Sequence, residues 1–431
     1  MTIAFNLNTG ELIKNIVASP LFKSSLIFSI SNALNSAIPF LLIPILTRYL
    51  DQREYGIITM FQLISSLLST VIGFNAHNAA IIQSYKKEEI DFPKYVYNAI
   101  IIIFLSFLLS IAATFLIKRW ISESIFFPED WIFATVIFAT CQVLFQLLLG
   151  LFISSQKPFS YGVFQVSQTL LNLGLSLLLV VYFNLGWEGR VFAQVFVYSL
   201  FGVITICILW RQGNIKLKID GTYIKRIIRF GLPLIPHTLA GSLMIMTDRF
   251  LISKLVSIEQ VGVYMVGYQF AQILLLLQDS VNNALAPWIF KNIKQNTVKE
   301  KIRLVKGTYL YMVSILLFSI TYSLSIPPIF RVFVGKEFLE GEQYIFWLAL
   351  AFAFNGMYKM VVNYIFYVEK TYILGFITTA TALVNLLLSY YLVNLYGAIG
   401  VAYSCAISYL ISFLLTWYYS NKVFPMPWRL R

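Results

Sequence analysis

Charge is what this chain is short of. Asp, Glu, Lys and Arg make up 12% of its 431 residues, against about 25% in a soluble globular protein. Histidine occurs twice, as His77 and His237, too few for a multi-histidine metal centre. Cys141, Cys207 and Cys405 each sit inside an apolar run, with no CxxC pair and no disulfide framework, so they read as small buried hydrophobes. There is no Walker A loop, GxSxG elbow, HExxH helix or DxD motif. ATP hydrolysis is therefore not expected, and uphill work would have to come from an ion gradient or from consumption of product. The first 20 residues are too polar for the apolar region of a signal peptide, so no cleaved leader is expected.

What is present is hydrocarbon. Hydrophobic residues make up 59% and aromatic residues 16%, and the mean hydropathy is +0.77. Apolar runs long enough to span a bilayer recur along the chain, which excludes soluble enzymes and nucleic-acid binders. Twelve segments can be drawn, at 24–47, 55–83, 95–117, 130–155, 159–183, 189–210, 232–253, 261–288, 307–330, 342–368, 371–393 and 397–420. In lipid only helices and closed barrels satisfy their backbone, and these runs are too long for barrel strands. The expected fold class is an all-α polytopic membrane protein.

Lys and Arg set the orientation. With the N-terminus inside, 22 of them fall in inside segments and 8 in outside loops, among the latter Arg48, Arg53, Arg190 and Lys254. Both termini are thus expected on the cytoplasmic side. The net charge of +13 is a topology signal, with anionic-lipid binding a side effect and nucleic acid not a partner. The halves also read as repeats. Arg48-Tyr-Leu-Asp-Gln-Arg-Glu-Tyr-Gly56 matches Lys254-Leu-Val-Ser-Ile-Glu-Gln-Val-Gly262, pairing Gly56 with Gly262. The turns Gln156-Lys157 and Glu369-Lys370 precede the intramembrane Asn172 and Asn385, and Gly186-Trp-Glu-Gly189 matches Gly397-Ala-Ile-Gly400. Two six-helix lobes follow, 1–210 and 232–431, joined by a basic cytoplasmic linker at 211–231. Parallel repeats of this kind are a transporter design with substrate held between the halves.

Ionisable residues inside spanning helices are functional candidates. Gln269, Gln272, Asp279 and Asn283 share one face of the eighth segment, and Gln62, Ser66, Ser69, Gly73 and His77 form the equivalent stripe in the second. Both stripes suit a water-filled cavity, or else helix–helix hydrogen bonding. His237, Gly241, Met244 and Asp248 share a face of the seventh segment. Arg249 points away from Asp248, toward the interior or snorkelling to the outer surface. Pro39 and Pro44, and Pro233 and Pro236, fit bent or broken first helices in each repeat. Lys359, near the middle of the tenth segment between Asn355 and Asn363, needs an anion: a charged substrate, or a partner such as Asp279 or Asp248.

The stretch Thr247-Asp-Arg-Phe-Leu-Ile-Ser-Lys254, followed by Val261-Gly-Val-Tyr-Met-Val-Gly-Tyr-Gln-Phe270, resembles the polysaccharide repeat-unit (O-antigen) flippases. These belong to the multidrug, oligosaccharidyl-lipid and polysaccharide exporter superfamily. The glycine-bearing entries at Gly186–Ala193 and Gly397–Ala402 are also similar to that family's. The resemblance implies a non-enzymatic carrier in the bacterial inner membrane. It would move undecaprenyl-diphosphate-linked oligosaccharide by alternating access, upstream of a polymerase and chain-length machinery, with no cofactor. A cationic cavity would be supplied by Lys359 and Arg249, with Asn355, Asn363, Gln272, Asn283 and His77 as further lining. Asp248 and Asp279 would couple H+ or Na+. Two cations leave room for a neutral glycan with only its diphosphate to balance. A monomer suffices for such a design. The alternatives are a multidrug or cation exporter of the same superfamily, and a polyprenyl-linked glycosyltransferase or polymerase using Asp51 and Glu54. The short outside loops speak against the enzyme, and Asp51 to Glu54 reads more simply as a helix-capping turn.

Overall fold

The computed structural model describes residues 20–368, 370 and 372–429; within that range the side chains of 20–26, 28–29, 39, 124–125, 236–237, 240–245, 283–284 and 287 are outside the described set. The expectations on His237, Gly241, Met244, Pro236, Asn283 and Glu369, and on the Pro39 side chain, fall outside it. Fourteen α-helices are described. They are α1 (Pro20–Tyr49), α2 (Gln52–Val71), α3 (Ala76–Ser84), α4 (Phe92–Ile125), α5 (Ile132–Ser154), α6 (Pro158–Leu177) and α7 (Gly186–Arg211), then α8 (Gly221–Gly231), α9 (Leu234–Leu255), α10 (Ile258–Gln295), α11 (Val298–Phe333), α12 (Glu342–Tyr367), α13 (Tyr372–Tyr396) and α14 (Ala398–Val423). Among the described residues, eleven spans are long and apolar enough to cross a membrane. The twelfth expected segment is α9. The protein is an all-helical, multi-pass membrane protein.

Contacts divide the chain into two compact units. One comprises the chain up to Leu42 with Phe61–Glu123 and Phe127–Leu239; the other comprises Ile43–Met60, Ser124–Phe126 and the chain from Ala240 onward. In both, the usual distribution of side chains is relaxed in one direction: large apolar groups lie outside, as a hydrocarbon solvent permits. Leu116 on α4 is 83% exposed and Leu324 on α11 is 73% exposed. Meanwhile Asn98, Ser176, Gln278 and Ser404 are completely buried. Lipid offers no hydrogen bonds, so polar groups turn inward to one another.

The first unit is built around α5, whose Val136, Ala139, Val143 and Leu147 are fully buried. Phe145 of α5 stacks on Phe164 of α6 at 5.0 Å and meets Phe201 of α7 edge-on at 6.0 Å. The second unit centres on α12, where Tyr344 packs on Tyr264 of α10 at 5.3 Å and Trp347 on Tyr403 of α14 at 4.7 Å. Its α2 start is capped as the sequence suggests. Glu54 N donates to Asp51 Oδ1 at 2.7 Å, and Asp51 N to Glu54 Oε2 at 3.0 Å, a reciprocal capping box. These two carboxylates are occupied in structural work.

Within the second unit the repeat-matched glycines meet. A Cβ on Gly56 would lie 2.1 Å from Ile258 O, and one on Gly262 would lie 2.2 Å from Gln52 O. The first turns of α2 and α10 thus cross backbone to backbone, as small residues allow in membrane helix pairs. Gly186 and Gly397, the other matched entries, both take positive φ, 55° and 69°.

Two differences from the sequence reading stand out. The predicted helix 55–83 is broken, and the break falls at a glycine rather than at a proline. Gly73, Phe74 and Asn75 take φ of 74°, 48° and 56°, and Gly73 N donates to Ser106 Oγ at 2.6 Å. Helix α1, by contrast, continues through Pro39 and Pro44. The second difference is that the basic segment 211–231 contains a helix, α8, capped by Asp220, which accepts from Thr222 N at 2.8 Å. Lys94 of α4 forms an ion pair with Asp220, Lys216 pairs with Asp91 at 2.8 Å, and Asp220 N donates to Asn98 Oδ1 at 2.9 Å.

Replacing Gly262 by Ala is expected to destabilise the protein by about 1–3 kcal/mol, because a backbone carbonyl cannot step aside. Replacing Gly375, whose Cβ would meet nothing within 4 Å, should leave the melting temperature unchanged or raise it; thermal unfolding in detergent compares the two. The Lys94 hydrogen bond, then that from Thr222 N, hold the Asp220 carboxyl down to about 2. A depressed folded-state pKa means that this stabilisation is complete above the ordinary Asp value of about 4 and is lost as pH falls through about 2. Asp220→Asn should therefore speed amide exchange in 221–231 at pH 7, and acidification to pH 4 should leave the wild-type helix protected.

Candidate functional site

A concentration of polar side chains with space beside them lies inside the first unit. A cavity of about 350 Å³ is lined by residues of α1, α2, α5, α6 and α7, within the size range of small-molecule sites. Its polar lining is Asn35, Gln62, Ser66, Gln142, Gln168, Thr169, Asn172, Arg190, Gln194 and Tyr198. The described lining residues include no aspartate or glutamate. Helical spacing puts Gln168 and Asn172 on one face of α6, and Arg190 and Gln194 one turn apart on α7.

Arg190 is the residue that the sequence reading misplaced. It was counted in an outside loop, yet α7 begins at Gly186 and carries Arg190 into the protein, where it is 7% exposed. Its guanidinium donates to Asn172 Oδ1 and Ser176 Oγ. Asn385 and Ser389 repeat the Asn172-to-Ser176 spacing in the second unit, but there the partner is the hydroxyl of Ser404, with Ser389 Oγ to Ser404 Oγ at 2.8 Å. The repeat thus carries a cation in one unit and a hydroxyl in the other. Gln142 Oε1 and Gln194 Oε1 are buried acceptors with no protein donor. The wall is completed by Phe138 and Tyr198, whose rings meet edge-on at 4.6 Å. Acceptors, one guanidinium and ring faces together suit a polyhydroxylated ligand.

The predicted stripe on the second segment is divided by the Gly73 break. Gln62 and Ser66 line the cavity. His77 lies beyond the break on α3, 8% exposed, with Nδ1 unbonded, and is not among the lining residues. The amides in α5, α6 and α7 were legible as spacing but carried no charge to draw notice.

In the second unit, Lys359 of α12 forms its ion pair with Asp279 of α10, one of the two partners considered for it. Their side chains are 22% and 45% exposed. Asn363 Nδ2 bonds its own helix at Lys359 O, 2.8 Å, and Asn355 Oδ1 accepts from the fully buried Gln278 at 2.8 Å. Gln272 is half-buried. Asp248 lies 6% exposed and accepts from Tyr264 OH at 2.9 Å, while its Oδ1 has no donor. Arg249 turns from it, donating from Nε to Met265 Sδ at 2.9 Å, with its guanidinium 5.3 Å from the Tyr268 ring centroid. These contacts hold it against α10.

No group of three His, Cys, Asp or Glu side chains is arranged to hold a metal ion among the described residues. Neutralising Lys359 or Asp279 singly should each destabilise the protein, because the partner left behind is a lone charge within a spanning helix. The double variant Lys359→Met, Asp279→Leu should cost less than the sum of the two. A double-mutant cycle on thermal unfolding measures the coupling.

Comparison with known proteins adds the lineage. An uncharacterized membrane protein of Haemophilus influenzae is 26% identical over 372 residues, covering 85% of this chain and 89% of its own. The lipid II flippase MurJ, in an inward closed conformation, superposes with a TM-score of 0.70 at 16% identity, over 92% of this chain and 87% of that one. An inward-facing multidrug resistance MATE family transporter of the MOP superfamily does so at 0.68 and 12% identity, over 92% and 94%. The fold is shared with that flippase and that transporter. The profile described as "Polysaccharide biosynthesis protein" matches residues 21–293, well over half of the chain, and to that family the chain belongs.

Proposed function

We propose that this protein is a flippase for polyprenyl-diphosphate-linked oligosaccharide repeat units, serving O-antigen or another surface polysaccharide in the bacterial inner membrane, with both termini cytoplasmic. The observation that carries the reading is the cavity of the first unit. A sugar hydroxyl both donates and accepts, so it suits a wall that offers the amides of Gln142, Gln168, Asn172 and Gln194 beside the guanidinium of Arg190. A drug cation would want a carboxylate, and the described lining offers none. Membership of a polysaccharide biosynthesis family supports the same choice.

Transport proceeds by exposing the loaded site to one side of the membrane and then the other. Asp248 is the coupling residue in this reading. A buried carboxylate with a single hydroxyl donor gains from taking up H+ or Na+. Asp279 has Lys359 for that purpose. The polymerase and chain-length machinery would receive the translocated units.

Deleting the gene in its host and extracting polyprenyl-linked sugars tests the proposal. Complete single units should accumulate on the side of synthesis. Incomplete units would indicate a glycosyltransferase, complete units delivered but unpolymerised a polymerase, and unchanged lipid-linked sugars an exporter of other substrates. On complementation, Arg190→Ala should cut translocation about tenfold or more, the scale of one lost charge-assisted bond. Asp248→Asn should remove its dependence on the ion gradient.

A further inference from the structure

The segment 212–233 carries Lys216, Lys218, Lys225, Arg226 and Arg229 against a single acid, Asp220, which is already paired with Lys94. Helix α8 rests on the first unit through Ile227 and Gly231; Ile227 is fully buried, and a Cβ on Gly231 would lie 1.7 Å from Phe74 O. Among the described residues its other face is less covered, Ile224 alone of the next three still packing on the core of the first unit. Ile224 is half-buried, Ile228 is 36% exposed and Leu232 is 51% exposed, a stripe at i, i+4 and i+8. Lys225 and Arg229, also one turn apart, run beside it. Together with Gly221 and Pro233 these residues line an open groove of about 650 Å³. An amphipathic helix of this composition lies in the membrane interface with its apolar stripe toward the acyl chains. The Lys94–Asp220 and Asp91–Lys216 pairs tie it to the start of the spanning helix α4.

We infer that this groove is a docking site for a single-chain lipid diphosphate, the head of the substrate before translocation; the inference rests on the flippase reading. The groove is lined by two cationic residues one helical turn apart, Cβ atoms about 6 Å from each other, and by no acid. Two adjacent phosphates answer two adjacent cations, where the phosphodiester of a phospholipid answers one. The apolar stripe is one helix wide and receives one prenyl chain, where a phospholipid would leave its second chain uncovered. Lys225 and Arg229 therefore select the head, and Ile224, Ile228 and Leu232 the first isoprene units.

The test uses the full-length protein in neutral phosphatidylcholine nanodiscs with farnesyl diphosphate as the probe. Binding should protect the amides of 221–233 from exchange and weaken at least tenfold in the Lys225→Ala, Arg229→Ala double variant. Arg226→Ala is the control, since that exposed cation is outside the groove lining, and it should bind as the wild type does. Farnesyl monophosphate should bind several-fold more weakly. Nanodiscs containing phosphatidylglycerol should displace the probe only in large excess. Equal binding by the double variant, protection elsewhere, or displacement by phosphatidylglycerol at matched phosphate would each overturn the proposal, the last showing a general anionic-lipid surface. A protein that binds farnesyl diphosphate at α8 yet moves no lipid-linked glycan would overturn the flippase reading and leave the docking site standing. Translocation without protection of α8 would do the reverse.

Discussion

A hydrocarbon solvent satisfies no hydrogen bond, and most features of this protein follow from that constraint. Every backbone group must be paired within its own helix, so the chain is helical throughout its described spans. Every side-chain amide, hydroxyl and charge must find a protein partner, a water-filled cavity or the membrane surface. Polar groups are buried alongside the apolar core: Asn98, Ser176, Gln278 and Ser404 are hidden while Leu116 and Leu324 face outward. Tight association then depends on shape and close approach. The Gly56–Gly262 crossing, where neither residue has space for a methyl group, is the sharpest instance.

The two units solve the same problem with different chemistry. Each places an Asn-x-x-x-Ser pair on its next-to-last spanning helix and answers it from the last one. In the first unit the answer is the Arg190 guanidinium, and space is left beside it. In the second it is the Ser404 hydroxyl, which closes the contact. Charge in the second unit sits elsewhere, in the Lys359–Asp279 pair and the Tyr264–Asp248 hydrogen bond. The two units thus differ in where they keep their charge and their open space.

Much of the fold was legible because hydropathy is summed over twenty residues and survives errors at any one of them. The capping turn at Asp51 to Glu54, the spanning segments and the matched glycines were all readable for that reason or for their strong local chemistry. The sites were less legible. Lys359 drew attention as a lone cation in a long apolar run, and two carboxylates were equally eligible as its partner. Arg190 did not, because it lies five residues into its helix, where sequence cannot separate a loop residue from a buried one. His77 was assigned to a continuous stripe that the turn at Gly73 interrupts.

Composition, run length and charge asymmetry determined by themselves that this is a multi-pass helical membrane protein. Each of these is a property of residues counted along the chain, and the bilayer acts on such sums. Tertiary structure alone decided which polar residues share a space. The amides of α1, α2, α5, α6 and α7 become one cavity only when five helices rotate their polar faces to a common point. The choice of Asp279 over Asp248 for Lys359 likewise depends on how α10 and α12 pack. Such convergence is set by packing between segments far apart in sequence, where spacing along any one helix carries no information.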